Sequence, residues 1–143
     1  MRMSSEEETI NGLLVEVRLL ENTYNDFTVR QNILERALLE ARSAFETIKS
    51  LGTSNPEEVL VPIGAGVLLR GRPPDSEKVL VNVGANVVLE KSRDDAATVL
   101  ENRSKDFETN IVSIISQRNQ IAQRLEADRR ALQAIASRQG QKQ

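Results

Sequence analysis

The feature that most constrains this chain is a duplication near its middle. Val59-Leu60-Val61-Pro62-Ile63-Gly64-Ala65-Gly66-Val67-Leu68-Leu69 is followed, at a constant offset, by Val79-Leu80-Val81-Asn82-Val83-Gly84-Ala85-Asn86-Val87-Val88-Leu89. Each copy is a run of β-branched and aliphatic residues, a small-residue break and a second such run. That is the pattern of a β-hairpin, whose turn draws its positive φ from Gly or Asn. The odd positions Val59, Val61, Ile63, Val67 and Leu69, and then Val79, Val81, Val83, Val87 and Leu89, are all apolar. The even positions are mixed: Leu60, Pro62, Leu68 and Arg70, then Leu80, Asn82, Val88 and Glu90. Side chains alternate along a strand, so one face of each hairpin is wholly apolar and the other partly so. A lone two-stranded hairpin is marginal in water. The rest of the chain offers little to cover these faces, so the ten odd positions are predicted to bury against other subunits.

With 143 residues the chain is long enough for one ordinary domain. Aromatics make up only 3% of it, too few for the large rings that fill a globular core, so an elongated helical protein is expected. Nineteen basic residues face 21 acidic ones, a balance that argues against a nucleic-acid binder, which needs a basic patch to release counterions. The absence of Cys removes disulfides and thiol chemistry, and the absence of His removes the commonest general base and metal ligand. No cofactor and no metal are expected. No apolar run is long enough to span a bilayer, and Met1-Arg2-Met3 leads into Ser4-Ser5-Glu6-Glu7-Glu8 with no signal-peptide core. A cytoplasmic location with no membrane partner is the expectation.

Before the duplication a heptad holds without a break. Its a positions are Ile10, Val17, Tyr24, Gln31, Leu38 and Phe45, and its d positions are Leu13, Leu20, Phe27, Leu34, Ala41 and Ile48. Six such heptads predict a coiled-coil helix of roughly 70 Å. Ser5 with Glu8 reads as the capping box that opens it, and Lys49, Gly52 and Pro56 as its stop. Thr53-Ser54-Asn55-Pro56 is a loop by composition, and Gly71-Arg72-Pro73-Pro74-Asp75 breaks the strands between the hairpins. After the duplication, Ser92 and Asp95 cap a second helix. Its a positions are Ala97, Ser104, Ile111, Arg118, Leu125 and Leu132; its d positions are Leu100, Phe107, Ile114, Ile121, Asp128 and Ile135. The division is helix over 5–51, hairpins over 58–70 and 78–90, helix over 93–138 and a polar tail over 139–143, all in a single domain.

Two arms of near-equal length flanking a short connector can fold back as an antiparallel pair. One register satisfies the layers: Ile10 faces Ile135, Leu13 faces Leu132, Leu20 faces Leu125, Tyr24 faces Ile121, Leu34 faces Ile111, Leu38 faces Phe107 and Phe45 faces Leu100. A shift of one heptad keeps the same phase. Phe27 is expected to meet the Arg118 guanidinium. Asp128 meets only Val17, so the pair is expected to splay or be wet at that layer.

The connector carries a family resemblance. Leu60-Val61-Pro62-Ile63-Gly64-Ala65-Gly66 followed by Val81-Asn82-Val83-Gly84-Ala85-Asn86, between helices of equal length, resembles an alpha-type prefoldin subunit of archaeal kind. Beta-type subunits carry one hairpin, so the duplication points to the alpha type. The resemblance implies a mainly α fold with small β: a long antiparallel two-helix coiled coil joined by two hairpins. It also implies a jellyfish-shaped hexamer of two alpha-type and four beta-type subunits, its hairpins forming a β-barrel body. The implied activity is ATP-independent: non-native proteins are captured at the coiled-coil tips and passed to a group II chaperonin.

Near the tip, Leu14, Val15 and Leu19 fall at e, f and c positions, beyond what the seam needs. They are candidates for client contact, with ordinary surface exposure as the other reading. Leu13, Val17, Leu20, Leu125, Leu132 and Ile135 join them as tip candidates, although as heptad residues they also pack on each other. Gly64-Ala65-Gly66 lacks the third Gly and the helix of a dinucleotide loop. Asp94 and Asp95 are accounted for by a helix N-terminus. Arg124, Arg129, Arg130 and Arg138 are interleaved with Glu126 and Asp128 and lack stacking aromatics, so they read as a solvated face rather than an RNA site. A filament grown through the same hairpins is the alternative to a closed chaperone, and an enzyme is a distant third.

Overall fold

The computed structural model describes residues 4–53, 58–73 and 77–141. Its elements run α1 (Ser5–Thr53), β1 (Val59–Gly64), β2 (Val67–Gly71), β3 (Lys78–Gly84), β4 (Val87–Ser92) and α2 (Arg93–Gln141). Two long helices thus flank two small antiparallel hairpins. Ser54, Asn55, Pro56, Pro74 and Asp75, assigned above to breaks, lie outside the described residues. The chain divides into two compact units: a terminal unit, up to Arg36 and from Glu108 onward, and a hairpin unit, Ala37–Phe107.

In the terminal unit α1 starts on Ser4, whose hydroxyl accepts from the Glu7 N–H at 3.2 Å while its carbonyl accepts from the Glu8 N–H at 3.0 Å. The cap is therefore Ser4 rather than Ser5. Glu6, Glu7 and Glu8 fill the first turn, where the exposed N–H groups favour negative charge. Every a and d residue of this unit is buried or partly covered, and Ile111, Leu125, Asp128 and Ile135 are buried outright. Two ion pairs cross between the helices, Arg124 Nε to Glu16 Oε1 at 2.8 Å and Arg129 Nη2 to Glu21 Oε1 at 2.7 Å. They straddle one layer symmetrically. Glu16 lies four residues before Leu20 and Arg124 one before Leu125; Glu21 lies one after Leu20 and Arg129 four after Leu125. This arrangement sets Leu20 level with Leu125, the register read from the heptads.

Two side chains depart from expectation. Arg118 lies over the Tyr24 ring, 5.7 Å from its centroid, and not over Phe27. Tyr24 and Phe27 are one turn apart on one face, and Arg30 on their own helix covers Phe27 at 5.9 Å. Asp128 is also not at a splayed layer. It is 6% exposed, with Arg124 Nε 3.7 Å from its Oδ1. The layer is closed over the carboxylate, and the cation beside it comes from one turn back on the same helix.

In the hairpin unit, Leu38, Ala41, Phe45 and Ile48 on α1 and Ala97, Leu100, Ser104 and Phe107 on α2 are all buried or partly covered. The α1 helix runs through Gly52 to Thr53, and the Arg93 guanidinium donates to the Leu51 carbonyl at 2.9 Å. That bond satisfies one of the carbonyls a helix end leaves unpaired. The β4 strand runs straight into α2, with Ser92 Oγ accepting from the Asp95 N–H at 3.1 Å as the cap. At its far end α2 continues past Arg138 through Gly140 to Gln141. A Gly in a last turn weakens the helix by about 1 kcal/mol but does not forbid it.

Candidate assembly and client surfaces

The hairpins form two separate two-stranded sheets, β1 with β2 and β3 with β4. Their registers match: Val61 pairs with Leu69 and Pro62 with Leu68 in the first, Val81 with Leu89 and Asn82 with Val88 in the second. Each ladder then slips, so that Gly64 meets Val67 and Gly84 meets Val87. Gly64 and Gly84 take φ of 114° and 106°, open to Gly but strained for other residues. The two-residue loops are Ala65-Gly66, at φ 50° and 79°, and Ala85-Asn86, at φ 51° and 60°. Positive φ at both positions is the type I′ turn, whose twist matches that of paired strands. Sequence reading assigned the positive φ to Gly and Asn; two alanines also carry it. Asn82 Oδ1 accepts from the Gly84 N–H at 2.9 Å and steadies the second slip.

The apolar faces stand open. Val61, Ile63, Val67, Leu69, Val83, Val87 and Leu89 are exposed, while Val59, Val79 and Val81 are partly covered. The opposite faces expose Leu60, Leu68, Leu80 and Val88 as well, Leu80 to 74%. Each strand pairs on one side only, so each also presents an unpaired backbone edge. The second hairpin is tied to the rest of its unit. The Arg103 guanidinium donates to the Asn82 carbonyl, and the Arg93 N–H donates to the Glu77 carbonyl at 2.9 Å.

In the terminal unit the tip candidates fall into two groups. Leu13, Val17, Leu20 and Leu132 are partly covered, and Leu125 and Ile135 are buried, so these six sit in the seam. Leu14, Val15 and Leu19 are exposed. Val29, Ile33 and Val112 are exposed too, as is Leu39 in the hairpin unit. Sequence reasoning passed over them, although their f, c and b positions could be read from the same heptad. A shallow pocket of about 490 Å³, lined by Tyr24, Asn25, Ala122 and Leu125 between Glu21 and Arg129, marks the seam beside the second ion pair. No helix among the described residues is long and apolar enough to cross a membrane.

Comparison with known proteins gives this arrangement of helices and hairpins a family. The family model for prefoldin subunits matches residues 20–141. Prefoldin subunit alpha of Nitrosopumilus maritimus (strain SCM1) is 30% identical over 120 residues, 84% of this chain and 83% of that protein. The prefoldin beta subunit of Thermococcus strain KS-1, a crystal structure, shares the fold with a TM-score of 0.61 at 15% identity, over 87% of this chain and 90% of that one. The filamentous PFD of Methanocaldococcus jannaschii, seen by cryo-EM, does so with a TM-score of 0.58 at 21% identity, over 85% and 95%. The chain belongs to the prefoldin family. Within it, the chain is an alpha-type subunit, chaperone-like and of a kind that assembles into prefoldin complexes.

Proposed function

We propose that this chain is the alpha-type subunit of an ATP-independent holdase. In this reading its hairpins join a second alpha-type copy and beta-type subunits into a hexamer with a β-barrel body. The terminal ends of its helices hold non-native proteins and deliver them to a group II chaperonin. The observation that carries the reading is where exposed aliphatic side chains fall. They lie on both hairpins, where open strand edges add backbone partners, and on the α1 surface at Leu14, Val15 and Leu19. The first set suits strand addition by sister subunits. The second suits loose apolar capture, which needs no nucleotide because nothing but burial drives it. The test is suppression of light scattering from a heat-unfolded model protein by the chain mixed with a beta-type subunit, without nucleotide. Removing the first ~20 residues, a segment outside the hairpins, should leave the complex its size and abolish suppression. Unchanged suppression refutes capture at the tips.

The filament reading keeps one specific support, the fold likeness to a prefoldin named as filamentous. It predicts open growth from this chain alone, where the hexamer predicts a closed particle that needs the beta-type partner. Measuring particle size with and without that partner separates the two.

A further inference from the structure

We propose that the outward face of α1 is a two-step track for an extended, non-native polypeptide, with Val15–Leu19 as the first step and Val29–Ile33 as the second. The proposal rests on the client-holding reading above. Val15 and Leu19 occupy f and c positions four residues apart, and Val29 and Ile33 repeat the same positions two heptads on. All four are exposed, and all four lie on the stretch of α1 within the terminal unit. Side chains four apart on a helix are surface neighbours, so each pair forms one aliphatic ledge. At ~1.5 Å per residue the ledges are roughly 21 Å apart on one side of one helix. The seam does not account for them, because f and c point away from it.

What lies between the ledges selects the occupant. Of the nine outward positions from Val15 to Ile33, only Arg18 and Asp26 are charged, with opposite signs. Asn22 and Asn32 are exposed on the same side, and Asn25 is exposed at its edge, where it also lines the pocket beside Arg129. A side-chain amide both donates and accepts, so it can pair with the bare N–H and C=O groups of an unfolded backbone. A second helix packed along this stripe would bury Asn22 and Asp26 in its seam and would bring no free backbone groups to the amides. An extended chain at ~3.3 Å per residue crosses from ledge to ledge in about six residues. The substrate class is therefore an unfolded, uncharged segment with two aliphatic clusters about six residues apart.

The test uses the chain assembled with a beta-type subunit and two fluorescent peptides of equal composition. One carries two Leu-Val pairs six residues apart, the other the same pairs three residues apart, in a Ser-Asn background. Anisotropy should show the six-residue peptide binding about tenfold tighter, since only it reaches both ledges. The preference should vanish in Val29→Ser/Ile33→Ser and in Val15→Ser/Leu19→Ser, with helix content unchanged. Equal binding of both peptides, or a preference that survives Val29→Ser/Ile33→Ser, overturns the track. If Val29→Ser/Ile33→Ser instead reduces particle size and leaves peptide binding intact, the face serves a second copy and the track is again overturned. An assembly that suppresses aggregation but binds neither peptide overturns the track and spares the holdase. One that fails to suppress aggregation overturns the holdase reading itself.

Discussion

Asp128→Leu should stabilise the terminal unit. Asp128 occupies a d position of the seam at 6% exposure, and its Oδ2 is buried without a hydrogen-bond partner. Its neighbouring cation, Arg124, stands 3.7 Å from Oδ1, beyond hydrogen-bonding distance, and donates instead to Glu16 at 2.8 Å. Burying a carboxylate costs several kcal/mol. An ideal pair at that range returns about 4 kcal/mol at an effective dielectric of 20, but Arg124 is largely solvated, which cuts the return to about 1 kcal/mol. A Leu in the same place removes the penalty and adds ~1.5–3 kcal/mol of apolar burial, less whatever misfit the layer imposes. A net gain of about 1–3 kcal/mol is expected, within the range seen when buried charges give way to packed apolar side chains. For a chain of 143 residues that is a rise in Tm of roughly 3–10 °C. Thermal unfolding followed by circular dichroism at fixed protein concentration reads it. A double-mutant cycle supplies the control. Arg124→Gln should cost about 1 kcal/mol more in the parent chain than in Asp128→Leu, because only the parent is left with an unaccompanied carboxylate. A neutral or lowered Tm for Asp128→Leu, or a cycle with no coupling, refutes the reasoning.

Other outcomes test other parts of the fold. The chain has no Cys, so Leu20→Cys/Leu125→Cys should form an intramolecular disulfide under mild oxidation, and Leu20→Cys/Leu132→Cys should not; the reverse result moves the register by one heptad. Ala65→Asn creates an Asn-Gly turn at a residue held at φ 50° and should slow amide exchange in the first hairpin, by up to about 1 kcal/mol. Arg103→Ala should speed exchange in β3 and β4 and leave β1 and β2 unchanged, because the Asn82 carbonyl loses its charged donor, about 1–2 kcal/mol. Arg93→Ala should fray the C-terminal turn of α1 by about 1 kcal/mol, seen as faster exchange of amides before Leu51.

Much of this architecture was legible in the linear chain because two periods do not resemble each other. A 3.5-residue repeat marked the helices and a two-residue alternation marked the strands. The register of the helix pair was legible only to within one heptad, since a seven-residue shift keeps every layer in phase; the Arg124–Glu16 and Arg129–Glu21 ion pairs fix it in the terminal unit. Local ambiguities were not resolvable in this way. Ser4 and Ser5 are each followed three residues later by a Glu, so either could open α1. Tyr24 and Phe27 are both within an Arg side chain's reach of position 118. The exposed Val29 and Ile33 give no signal of their own in the sequence, because single apolar residues on a helix surface are ordinary.

The chain's own order of residues determined which segments are helix and which are hairpin, because those preferences depend on neighbours a few positions away. It also determined that the hairpins carry more apolar surface than the chain can cover. Only the tertiary structure decided which polar groups in the seam acquire a neighbour and which do not. Asp128 gains Arg124 nearby and Arg118 lies over the Tyr24 ring, while Gln31 Oε1, Arg118 Nε and Asp128 Oδ2 are buried without a hydrogen-bond partner. Such outcomes depend on distances of a few tenths of an ångström between side chains more than a hundred residues apart, as with Glu16 and Arg124. No local rule sets those distances; the packing of two whole helices does.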